Sequence, residues 1–166
     1  REEIALLNGK YDDIHIFAGV EMDILPDGKL DFSDDFLKEL DFVIASIHSS
    51  FSQPQDKIMD RLFRALENPY VSLIAHPTGR LIGRRDGYNP DMEKMIQKAK
   101  ETNTALEVNA NPKRLDLNAK WIRMAPEEGV TLAINTDAHS YQMLEHMKYG
   151  VGTARRGWAF WGIRGC

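Results

Sequence analysis

Phe42-Val-Ile-Ala-Ser-Ile47 is a continuous apolar run, relieved only by the small Ser46, and it ends at His48. Its length is that of a strand, and its lack of polar alternation is that of a strand buried on both faces. Working outward, runs of the same kind recur at His15–Met22 (HIFAGVEM), Val71–Ala75 (VSLIA), Thr104–Val108 (TALEV) and Val130–Ile134 (VTLAI). Helical patterns fill the intervals. Ser33 is placed to cap a short helix, Asp34–Leu40, whose first-turn acids suit the helix dipole. Gln55–Glu67 carries Ile58, Leu62, Ala65 and Leu66 at helical spacing and is stopped by Asn68-Pro69. Asn89-Pro90 opens a helix to about Thr102, with Met92, Met95, Ile96 and Ala99 on one face. Asn118–Glu128 is stopped by Gly129, and a short helix, Tyr141–Met147, ends near Gly150. Leu25-Pro-Asp-Gly28 is a turn. Five strands alternating with helices predict βα units around a parallel sheet, closed as a barrel or doubly wound. No Gly-x-Gly-x-x-Gly follows a strand, which disfavours the dinucleotide-binding version.

The rest of the composition sets bounds. The chain has 166 residues, 43% of them hydrophobic and 28% charged, which are globular and not disordered proportions. A chain of this length buries roughly 70% of its unfolded surface, enough for one core. Net charge is −4, so binding to nucleic acid through bulk charge is excluded, although a local basic patch is not. There is no apolar run of membrane-spanning length and no secretory signal pattern among the first residues. The one cysteine, Cys166, is the last residue, so no internal disulfide framework exists, and a cytoplasmic location is expected.

Chemistry concentrates where the strands end. The five runs deliver Glu21, His48, His76, then Asn109 and Asn111, then Asp137 and His139. In parallel βα architectures every strand points its C-terminal end at one face, and functional groups gather there. A single histidine after a strand is ordinarily a hydrogen-bonded loop residue. Three histidines, a glutamate and an aspartate at equivalent positions of different units point instead to a metal site. His15 and His146 lie outside the pattern and read as structural or exposed. Imidazole and carboxylate donors without thiolate suit Zn²⁺, Mn²⁺ or Fe²⁺. Ions of this kind can clamp a phosphate and activate a water, so metal-assisted phosphoester hydrolysis is the expected reaction class. Ser46, Ser49 and Ser50 sit in no nucleophile elbow. Arg80, Arg84 and Arg85 follow His76, and Lys113 and Arg114 follow the asparagine pair, within reach of phosphate oxygens.

The segments GVEMDILPDG, LDFVIASIHSSF, NPYVSLIAHPTGRLIGRR, ALEVNANPKRLDL, INTDAHS and YGVGTARRGW resemble the polymerase-and-histidinol-phosphatase (PHP) domain of bacterial family X DNA polymerases. The resemblance implies a distorted (β/α)7 TIM-like barrel with a multinuclear metal site at the strand ends. It matches Glu21, His48, His76, Asp137 and His139 to metal ligands. His76, Asp137 and His139 are also expected to assist catalysis, and Arg80, Arg84, Arg85, Asn109, Asn111 and Arg114 to bind substrate. It implies manganese or zinc as cofactor, DNA 3′ ends as substrate, a polymerase region of the same parent chain as partner, and 3′–5′ exonuclease activity.

Two departures shape the expectation. No His-x-His precedes Glu21, so the barrel is expected to be incomplete, with its first βα units missing, and the isolated chain to be weakly active or inactive. Residues 1–158 are expected to be the C-terminal part of the PHP domain, and 159–166 (AFWGIRGC) an atypical tail. Two rival readings are a stand-alone phosphatase acting on a small phosphomonoester, and a non-catalytic module that positions DNA.

Overall fold

A computed structural model describes residues 1–158, and the tail 159–166 lies outside the described residues. Helix α1 spans Glu2–Asn8 and was not signalled by the sequence pattern. The elements after it are strand β1 (Gly19–Asp23), helix α2 (Asp34–Leu37), β2 (Phe42–Ser46) and α3 (Gln55–Glu67). There follow β3 (Leu73–Ile74), α4 (Met92–Thr102), β4 (Ala105–Asn109), α5 (Ala119–Glu127) and β5 (Leu132–Asn135). A 3-10 segment, Tyr141–His146, leads into α6 (Met147–Arg156).

All strand pairs are parallel, and the sheet order is β1-β2-β3-β4-β5. A doubly wound sheet reverses its strand order at a switch point, whereas here each strand is laid beside its predecessor. The doubly wound alternative is thereby set aside. The described residues form five successive βα-type steps of one sheet, with β1 and β5 at its two ends.

Burial follows the patterns that built the elements. In β2, Val43 and Ala45 are buried and Ile44 is half-buried, so both faces are covered. Helices α3 and α4 pack against each other. The core joins Met22, Val43, Ala45, Ile74, Leu106, Val108 and Ile134 of the sheet region to Ile58, Leu62, Met95, Ile96 and Ile122 of the helices. At about 25 cal/mol per Å² of apolar area, burial of this kind is the dominant stabilising term.

Four local departures from the sequence pattern are observed. The His15–Ala18 segment is not strand. The Asn8 side chain instead satisfies the Ile16 main chain, accepting from its N–H and donating to its carbonyl, each at 2.8 Å. Ser33 occupies the position before α2, but its side chain makes no capping bond. Helix α4 starts at Met92, where Asp91 caps it by accepting from the Lys94 N–H. Finally, the predicted ending near Gly150 is replaced by a helix running on to Arg156. A Cβ at Gly150 would come within 2.6 Å of the side chains of Ala110 and Ile134. The glycine lets α6 lie close against β4 and β5; it does not terminate the helix.

Candidate metal centre

Parallel register brings three ligand types to one point. Glu21 pairs with Ile44 across β1 and β2, and Ala45 pairs with Ile74 across β2 and β3. His48 and His76 leave the ends of β2 and β3 on the same side. Glu21 Oε1 lies 3.4 Å from His48 Nε2 and 3.2 Å from His76 Nε2. One donor atom from each of the three side chains lies within 4.8 Å of the others. Two ligand atoms on a tetrahedral ion with bonds near 2.0–2.1 Å are separated by about 3.3 Å. The observed spacings are those of such an edge, and one carboxylate oxygen with two imidazole nitrogens suits a divalent transition ion. The residues present therefore fit a metal.

The side chains of this cluster are held by neighbours. His76 is buried, while Glu21 and His48 open to solvent. The His48 main-chain N–H donates to Asp23 Oδ1 at 3.1 Å, and the Ser46 hydroxyl is 3.3 Å from His48 Nδ1. The His76 main-chain N–H donates to Glu107 Oε2, and Asn109 Nδ2 donates to the same oxygen at 3.2 Å. His76 has φ of +31° and Asp137 +50°, a left-handed backbone that costs on the order of 1–3 kcal/mol per residue. Strain at the ends of β3 and β5 thus falls on two of the sequence-derived candidate residues.

The electrostatics follow from the contacts. Hydrogen bonds to His48 and then His76 hold the Glu21 carboxyl well below the usual carboxylate range. The hydrogen bond to Glu21 raises His48, against the opposing effect of its partial burial. Burial pushes the Glu107 carboxyl up to about 8, although the bonds from His76 and Asn109 work the other way. Burial likewise raises Asp116, which accepts from the Thr78 N–H at 2.9 Å and its hydroxyl at 2.8 Å.

The other sequence-derived candidates divide. Asp137 and His139 are not members of the Glu21–His48–His76 cluster. Asp137 Oδ2 is 3.4 Å from Asn109 Nδ2 and 3.6 Å from Arg114 Nε. The His139 side chain is 78% exposed, with Nδ1 2.9 Å from the Asp137 carbonyl oxygen. Arg80 donates through Nε to the Arg114 carbonyl at 2.8 Å and through a terminal nitrogen to the Leu115 carbonyl. It thus ties the loop after β3 to the loop after β4. Arg85 donates to the Gly79 carbonyl at 2.8 Å and lies 3.8 Å over the Phe51 ring. Arg84 is exposed. Asn109 Oδ1 accepts from the Asn111 N–H at 2.9 Å, and Asn111 Oδ1 from the Lys113 N–H at 3.0 Å, which shapes the turn. Of the two outlying histidines, His15 is exposed and His146 half-buried.

Sequence reasoning missed Asp23, Arg61, Glu107 and Asp116. Glu107 had a signal, a carboxylate in the middle of the TALEV strand. Arg61 had one too, a cation inside the Ile58–Leu62–Ala65 stripe. Its NH1 donates to the Ser49 carbonyl at 3.1 Å and to Gln53 Oε1 at 2.8 Å, and its NH2 donates to the Ile24 carbonyl. Arg61 therefore braces the loops that follow both β1 and β2.

Strand-end carboxylate and imidazole donors on a sequentially ordered parallel βα sheet agree with the α/β fold and strand-end metal site that the PHP resemblance implies. No protein-family model matches the chain. Over 157 residues, 95% of its length, it is 60% identical to the DNA polymerase/3′-5′ exonuclease PolX of Bacillus subtilis (strain 168). It is 34% identical over 146 residues, 82% of its length, to a probable phosphatase of Thermoanaerobacter sp. (strain X514), and 31% identical over 134 residues to one from Acetivibrio thermocellus. The chain spans 28% of the length of the first relative, 57% of the second and 53% of the third. The chain belongs to the PHP domain family, on the branch carried by bacterial family X DNA polymerases.

Proposed function

We propose that this chain carries the metal-dependent phosphoesterase centre of a bacterial family X DNA polymerase, acting in repair as a 3′–5′ exonuclease on DNA 3′ ends. The observation that carries the reading is the convergence of Glu21 Oε1 on His48 Nε2 and His76 Nε2 at 3.4 and 3.2 Å. Glu21, His48 and His76 hold a divalent ion, manganese or zinc, and Asp137 and His139 complete the ligand set from β5. When bound, divalent ions supply Lewis acidity toward a phosphoryl oxygen and acidify a water. Glu21 stays ionised because two imidazoles stabilise its charge. His76, Asp137 and His139 flank the reacting phosphate and assist proton transfer. Arg80, Arg84, Arg85, Asn109, Asn111 and Arg114 hold the strand, with the arginines neutralising phosphate charge. The polymerase region of a longer parent chain extends the 3′ end that this centre trims.

Asp137→Asn tests this in the polymerase-bearing protein, since asparagine tolerates the left-handed backbone at that position. Exonuclease activity disappears and nucleotide addition remains. Retention of full exonuclease activity refutes the role of Asp137. The probable-phosphatase relatives favour a second reading, hydrolysis of a small phosphomonoester. Rates on a DNA 3′ end and on a phosphomonoester, measured side by side with Mn²⁺, separate the two.

A further inference from the structure

A cleft of about 440 Å³ lies beside the arginine loop, lined by Arg80, Leu115, Asn118, Lys120, Thr153 and Arg156 among others. Three of its lining residues are cations and none is a carboxylate. The cations come from three separate elements: the loop leaving β3, the first turn of α5, and the last turn of α6. Arg80 is four residues beyond His76 and Leu115 six beyond Asn109. The cleft is thus bounded by loops that leave the same end of the sheet as the metal cluster.

Among the described residues, none of the three cations sits in an ion pair, although the buried Asp116 carboxyl attracts Arg80. Two guanidinium nitrogens of Arg80 are spent on neutral main-chain carbonyls, which fix its position. The Lys120 ammonium rests 3.9 Å over the Trp121 ring. Cations gathered with little counter-charge repel one another and raise the local positive potential, which favours an anionic ligand.

The form of the anion follows from the donors that are missing. Asn118 Oδ1 already accepts from the Lys120 and Trp121 N–H groups, so the start of α5 offers no open cradle of main-chain donors for one small anion. The cations are instead contributed by three separate elements around the cleft, which Thr153 also lines. Spread point charges suit successive phosphates of a backbone better than a single phosphate.

We propose that this cleft is a second, metal-independent binding site that takes the phosphodiester backbone of the nucleic-acid strand whose end is processed at Glu21, His48 and His76. Lys120 and Arg156 are phosphate-contacting residues, and Arg80 links the cleft to the metal site. The proposal rests on the reading of the substrate as a DNA strand.

The test is fluorescence anisotropy of a labelled twelve-nucleotide oligothymidylate with the chain in EDTA, over a range of salt concentrations. The Lys120→Gln/Arg156→Gln double variant binds at least tenfold more weakly at low salt, and the magnitude of the slope of log affinity against log salt falls by about 1.4. The thermal midpoint of the variant, unchanged from the original chain, shows that the fold is retained. Unchanged affinity and slope overturn the proposal. So does failure of the original chain to bind the oligonucleotide, or binding of orthophosphate alone. Binding is read without metal, so absence of hydrolysis in a separate Mn²⁺ assay counts against the exonuclease reading while the binding result stands.

Discussion

The main-chain N–H of His76 donates to the buried carboxyl of Glu107. This bond joins the histidine of the Glu21–His48–His76 cluster, in its left-handed backbone, to the interior of β4. The position of a candidate ligand is therefore set in part by a buried carboxyl on the neighbouring strand.

The Glu107 carboxyl ionises near 8 in the folded chain, against an ordinary value of 4.5. Between those values the folded state holds a proton that the unfolded state has released. The stabilisation is complete below about pH 4.5 and is lost as pH rises through 8. Glu107→Gln removes this ionisation. In EDTA, urea midpoints measured from pH 5 to 8 decline less for the variant than for the original chain.

His48 is raised by its hydrogen bond to Glu21, and a metal needs the neutral imidazole. In the metal-free chain the Glu21–His48 attraction is present at mildly acid pH and fades as pH rises through the raised His48 value. Metal binding therefore releases a proton, and Mn²⁺ affinity by titration calorimetry rises between pH 6 and 8. Glu21→Gln lowers the affinity by more than tenfold at pH 8.

Arg61 is 1% exposed and donates to two main-chain carbonyls and to Gln53. Arg61→Ala strands these acceptors and costs about 3 kcal/mol of stability. Arg61→Met fills most of the volume but restores no donor, so it stays well below the original chain in urea unfolding. Parity of Arg61→Met with the original chain would show that packing alone explains the residue.

Gly79 has φ of +65°, and a Cβ there would sit 2.2 Å from the Tyr88 ring. Tyr88 is buried and cannot easily yield. Gly79→Ala lowers stability by about 2 kcal/mol. It also displaces the carbonyl that Arg85 holds, and a loosened arginine loop shows as faster proteolysis between Thr78 and Tyr88.

Much of the fold was legible along the chain. Helix α3 matches its sequence-derived bounds because its apolar spacing, its opening after Pro54 and its stop at Asn68-Pro69 agree locally. The ends of α6 and β1 were not legible. Gly150 is a stop signal in isolation, and its role as a packing contact with Ala110 and Ile134 exists only after the sheet has formed. The Ile16 main chain is satisfied by Asn8, a partner eight residues away that no strand pattern reveals.

The sequence by itself determined that apolar strand runs end in ligand-type residues, because strand period and residue chemistry are local properties. It thereby determined Glu21, His48 and His76 as candidates and the parallel βα class. Only the tertiary structure decided which candidates meet. Register across β1, β2 and β3 brings those three within 4.8 Å, while His139 turns to solvent beside its own Asp137. Tertiary structure also decided that Arg80 spans two loops, and that Glu107, Asp116 and Arg61 are buried supports. A distance between side chains on different strands is fixed by packing and hydrogen-bond register, which no single segment encodes.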